Sequence, residues 1–93
     1  MPYRIGTWIE ADGTARALAP EEIMLEPLAA AEVAGRAIPV AWRVAVPTEG
    51  VDVDIRAVNA QSWMGTTFAY WEGPVTVTGT HSGRGYLEMT GYE

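Results

Sequence analysis

Ninety-three residues hold one domain, with little stability to spare, because backbone ordering offsets most of what burial contributes at roughly 25 cal/mol per Å² of apolar area. Hydrophobic residues make up 48% of the chain and charged residues 19%, which excludes disorder, while six scattered arginines, no lysine and a net charge of −6 exclude a phosphate-binding stripe or an anionic-membrane footprint. The absence of cysteine excludes disulfides and thiolate metal sites without fixing the compartment.

Met1 runs straight into β-patterned sequence, so neither a signal peptide nor a transmembrane run is expected in this chain. Tyr3 to Glu10 alternates loosely and ends at Ala11-Asp12-Gly13, a hairpin turn signal, with Thr14 to Leu18 as the returning strand. Glu21 to Ala34 reads two ways. Ile23 and Leu25 suit a short strand over Glu22–Glu26. The alanine-rich run beyond Pro27, ending at Gly35, suits an irregular or single-helical segment, with proline at its first position and glycine past its end.

From Ile38 the pattern sharpens. Ile38, Val40, Trp42, Val44 and Val46 share one face of a strand, and Pro47 to Gly50 is a turn. Val51, Val53, Ile55 and Ala57 then oppose Asp52, Asp54 and Arg56, as in a half-buried antiparallel strand. A loop from Asn59 to Gly65 carries Trp63. Thr66 to Thr80 reads as a long strand with a bulge or edge position at Gly73-Pro74. After the His81-Ser82-Gly83 turn, Arg84 to Tyr92 alternates again.

Roughly six or seven short strands at hairpin spacing predict an all-β fold, an antiparallel barrel or half-barrel, or a sandwich, as a single domain over residues 1–93. The last two strands have an aliphatic face (Val75, Val77, Leu87, Met89) and a polar, aromatic one (Tyr70, Glu72, Thr76, Thr78, Tyr86, Glu88, Thr90). The polar face either lines a ligand cavity or is simply solvated, because alternation does not say which side is inside.

The tail Tyr70-Trp71-Glu72-Gly73, then Val75, Val77 and Gly79, then Gly85-Tyr86-Leu87-Glu88 and Thr90-Gly91-Tyr92, resembles the C-terminal lipocalin-like domain of the carotenoid 1,2-hydratase (hydroxyneurosporene synthase) family, which includes bacterial proteins described as secreted hydrolases. Ile38-Pro39-Val40-Ala41-Trp42-Arg43-Val44 with Pro47 is similar to that family's Tyr-Pro-x-x-Trp strand, and Gly6, Trp8 and Asp12-Gly13 to its opening hairpin. At Leu28–Gly35 the alanines depart from the family pattern. The resemblance implies a lipocalin-like lobe of a longer two-lobe architecture that is often exported. Its chemistry would be the acid-catalysed addition of water to an isolated double bond.

Glu72 is the candidate proton donor, since alkene protonation requires a carboxylic acid held neutral among apolar walls; the competing role is structural, capping a bulge or pairing with arginine. Trp42, Trp63, Tyr70, Trp71, Tyr86 and Glu88 are the candidate ligand-binding residues, although Trp63 suits a core plug equally well. His81 reads as an exposed turn residue, and Asp52 and Asp54 as a solvated pair. One histidine and no cysteine predict no metal site, and no cofactor is expected. The preferred reading is a module for an apolar small molecule. Alternatives are a hydratase or lyase assembled with a missing N-terminal lobe, a carbohydrate-binding domain, and a self-associating domain such as a homodimer. Nucleic acid is not an expected partner.

Overall fold

The strand that organises the molecule is the one whose alternation is clearest. Arg36–Val46 forms an eleven-residue strand (β4), paired on both sides within an antiparallel sheet. It is paired on one side by Met24–Val33 (β3) and on the other by Val51–Ala57 (β5). Tyr70–Gly79 (β7) follows β5, and Gly83–Met89 (β8) lies on the far edge of β7. A two-residue strand, Trp63–Met64 (β6), continues the line of β5 along the same edge of β7. Gly6–Ile9 (β1) and Ala15–Leu18 (β2) form a separate hairpin. The computed structural model describes residues 4–92; Tyr3, the expected start of the first strand, lies outside them.

All eight strands run antiparallel to their partners, and two short 3-10 turns are the only helical elements among the described residues. The fold is therefore all-β, an open half-barrel: β3 and β8 are edges that do not pair with each other.

Two local expectations are corrected. The alanine-rich segment after Pro27 is not helical. It continues as β3 through Val33 and pairs with β4 down to Val33↔Arg36. Alanine's helix preference is worth only tenths of a kcal/mol per residue and yields to a full ladder against a long apolar neighbour. Pro27 is tolerated because β3 is an edge strand, and the register is irregular between Pro27 and Ala30. The turn beyond uses Ala34 (φ 51°) and Gly35 (φ 79°), a two-residue connection with both residues left-handed.

The second correction concerns one of the two alternatives at Gly73-Pro74, the bulge; the edge alternative holds locally. No bulge occurs there: β7 and β8 pair without a break from Trp71↔Met89 to Val77↔Gly83, with Pro74 opposite Tyr86. The Pro74 carbonyl accepts from Val58 N at 3.0 Å, so the proline nitrogen faces the gap where β5 has ended and β6 has not begun. No ladder donor is lost. The expected long strand also starts later, at Tyr70 rather than Thr66.

Alternation sorts the sheet into two faces. Cross-strand partners Trp42↔Ile55, Ile55↔Val77, Trp71↔Met89 and Gly73↔Leu87 lie on one. Asp54↔Thr78, Arg56↔Thr76 and Glu72↔Glu88 lie on the other. The apolar face is concave. Val33 of β3, Ile38 of β4, Trp71 of β7 and Met89 near the end of β8 form one buried cluster, so the sheet curls until its two edges approach at this end.

Candidate functional site

The buried cluster closes one end of the half-barrel. Trp71 is fully buried, and its Nε1 donates to Ala60 O at 2.8 Å. That bond ties the loop 58–62 across the sheet. Ser62 reinforces it: its carbonyl accepts from Glu72 N at 3.1 Å, and its hydroxyl donates to Asn59 O at 2.7 Å. Gly73 is what lets Ser62 sit there, since a Cβ at that position would lie 2.7 Å from Ser62 Oγ. Trp63 packs against the same cluster beneath Arg36, whose guanidinium carbon is 4.7 Å from the ring centroid, a cation–π contact. On the β3 side, Gln61 Nε2 donates to Glu32 O at 3.2 Å.

Away from this plug the concave face is open. A groove of about 290 Å³ runs from Leu25 on β3, across Trp42, Val44 and Ile55, to Leu87 and Met89 on β8 and on to Tyr92. Glu88 and Thr90 stand at its rim. Its size is near the lower bound of about 300 Å³ for small-molecule pockets, and its walls are almost wholly hydrocarbon. Trp42 Nε1 is shielded from solvent and has no hydrogen-bond partner among the described residues. A second hollow, of about 320 Å³, is bounded by Arg4, the segment Ile23–Pro27 and Arg43. Three charged side chains enter its wall, so it lacks the continuous apolar lining of the groove.

The opposite face carries the polar residues. Tyr70 OH donates to Glu72 Oε1 at 3.1 Å, and Glu72 stands directly across from Glu88. Hydrogen bonding to the Glu72 carboxylate pushes the Tyr70 phenol above its ordinary value. Partial desolvation of the phenol, followed by a hydrogen bond to the same carboxylate, does so for Tyr86, whose side chain is mostly exposed. Farther along this face Arg43 makes two hydrogen bonds to Asp52, at 2.9 and 2.7 Å. These hold the Asp52 carboxyl below its ordinary value and the Arg43 guanidinium above its own. Asp54 and Arg56 approach to 3.8 Å. His81 is exposed in its turn, with Nδ1 3.0 Å from Thr80 Oγ1.

The structure thus divides the residues singled out from sequence. Trp42 lines the groove and Glu88 reaches its rim. Trp63 and Trp71 belong to the plug. Tyr70, Glu72 and Tyr86 sit together on the far side of the sheet, where Tyr86 is 65% exposed. Leu25, Val44, Ile55 and Met89 complete the groove. Strand alternation had put Val44 and Ile55 on buried faces, but only the curl of the sheet turns that side into a trough. None of the four tryptophans is exposed. No group of three or more histidine, cysteine or acidic side chains is arranged to hold a metal among the described residues. No helix among the described residues is long and apolar enough to cross a membrane.

The profile of the AttH-like family matches residues 1–92. The chain belongs to the AttH-like family. Among solved structures it is similar to the crystal structure of an AttH candidate from Nitrosomonas europaea, with a TM-score of 0.79 and 29% identity over 96% of this chain. The chain spans 30% of the length of that protein. The open sheet of this AttH-like domain is a lipocalin-like fold. No curated protein matches the chain.

Proposed function

We propose that this AttH-like domain is a binding lobe for an elongated apolar small molecule, which lies along the concave face against Trp42, Val44, Ile55 and Leu87. The observation that carries the reading is the groove itself: a trough of about 290 Å³ with a nearly continuous hydrocarbon wall, open to water in a chain this short. Water against such a wall is displaced favourably, at roughly 25 cal/mol per Å² of apolar surface covered. The few polar groups at the rim, Glu88 and Thr90, would orient a ligand that carries one hydroxyl or carbonyl. The resemblance of the tail to carotenoid 1,2-hydratases makes isoprenoid alcohols the first probes.

Proton-initiated hydration through Glu72 is not part of this reading. Its carboxylate accepts from Tyr70 on the face opposite the groove, away from the apolar walls that line the trough. A sugar platform is disfavoured by the absence of any exposed tryptophan to stack on.

The test is tryptophan fluorescence. Farnesol or dodecanol should change the emission in a saturable way, with most of the change lost in Trp42→Phe, whereas glucose should leave it unchanged. Identical titrations of Trp42→Phe and the parent chain would overturn the assignment.

A further inference from the structure

The open half-barrel exposes more surface than a folded chain of its mass normally does. At 10.1 kDa a monomeric protein is expected to expose about 5,300 Å²; this chain exposes 6178 Å². The surplus, about 900 Å², is close to one partner's share of a standard protein–protein interface, about 800 Å². It is also of the right character. Leu25, which lines the groove from the β3 edge, is 52% exposed, and Leu28 on the same edge is 40% exposed.

Charge narrows the choice of face. Two copies at −6 each repel, so they would meet where that charge is absent. Asp52, Asp54 and Glu72 lie on the face opposite the groove, and Glu88 alone is charged among the residues that line it. Strand-to-strand addition along β3 is disfavoured, because Pro27 and the irregular register from Pro27 to Ala30 break the ladder that a new strand would need.

We infer that a second copy of this chain covers the groove, two half-barrels meeting concave face to concave face about a two-fold axis, so that the apolar trough becomes an enclosed chamber. The inference builds on the proposed function in using the same surface. It does not require a ligand to be present, and the two therefore fail separately. An isologous contact of this kind brings the same residues of both copies together, so one substitution acts twice.

Sedimentation velocity on the ligand-free, full chain reads the association directly. A dimer is expected at tens of micromolar, dissociating on dilution. Leu25→Glu and Val44→Glu should weaken it at least tenfold, whereas Phe68→Glu, on a loop residue 82% exposed and outside the groove, should leave it unchanged. Leu25 is half exposed, so its substitution does not threaten the fold, and far-ultraviolet circular dichroism checks this for each variant. A monomer at 100 µM, whether empty or carrying a small molecule by native mass spectrometry, would overturn the inference. So would a dimer indifferent to Leu25→Glu and Val44→Glu. Farnesol titration of the parent chain, diluted until sedimentation shows only monomer, tests the binding reading independently.

Discussion

Gly73→Ala isolates the device that plugs the half-barrel. The backbone at Gly73 is not left-handed, so alanine meets no torsional strain there. Its Cβ, however, would lie 2.7 Å from Ser62 Oγ and 2.9 Å from Ser62 Cβ. The hydroxyl could swing aside by giving up its bond to Asn59 O, but the Ser62 Cβ is fixed to a backbone that itself accepts from Glu72 N. The loop must therefore lift, which strains the Trp71 Nε1 bond to Ala60 O as well. Inserting a methyl group into a packed site of this kind costs about 1–3 kcal/mol. With a urea m-value of about 1 kcal/mol per M for a chain of this size, the midpoint should fall by about 1 M or more. Urea unfolding followed by tryptophan emission at constant protein concentration measures this. Ser62→Gly alone should cost about 1 kcal/mol, through its lost hydrogen bond and added chain freedom. In combination it removes the clash, so the double variant should be more stable than the sum of the two losses by about 1 kcal/mol or more. A Gly73→Ala chain within about 0.5 kcal/mol of the parent, the ordinary range for a surface change, would refute the packing account. Strict additivity of the two substitutions would refute it equally.

Two predictions concern pH. The folded state holds the phenolic protons of Tyr70 and Tyr86 above the ordinary value of 10.0, so the stability they contribute is intact below pH 10 and is lost as pH rises past it; absorbance near 295 nm should show part of the tyrosine titrating late, and Glu72→Gln should bring Tyr70 back toward its ordinary value. At the acid end, the Ala19 backbone N–H, the Thr48 hydroxyl and Arg16 together lower Glu22 from 4.5, and Arg43 lowers Asp52 from 3.8. The unfolded chain then binds protons more readily, so stability is full above these values and declines as pH falls through them; Glu22→Gln should flatten the decline that sets in below about pH 4.5 in pH-dependent urea midpoints.

Which parts of the molecule were legible in the sequence follows from how local the deciding forces are. The strand Ile38–Val46 and the strand Val51–Ala57 announce themselves by alternation, because one face of each meets the core and the other meets water or ion pairs. Leu28–Val33 did not, since alanine is small enough for either conformation. Its state was decided by the hydrogen-bonding edge of β4, which lies several residues downstream. Pro74 left two readings open, a bulge or an edge, for a related reason. Proline interrupts a ladder only if a partner faces its nitrogen, and here β7 changes neighbours at that point.

The site was legible in part. The tryptophans and the aliphatic face of the last hairpin were visible as apolar, yet the sequence left open which face turned inward. The curl that brings Val33 and Met89 into one cluster makes the aliphatic side concave and leaves Tyr70, Glu72 and Tyr86 outside it. Leu25 was read as part of a strand and not as a groove wall, because its place there depends on β3 and β8 approaching one another across the trough.

The most direct measurement is amide chemical-shift mapping with dodecanol. Saturable shifts should concentrate at Val44, Ile55, Leu87 and Met89 and spare Thr76, Thr78 and Glu72. Shifts confined to the Tyr70–Glu72–Tyr86 face, or no saturable shifts at all, would contradict the account.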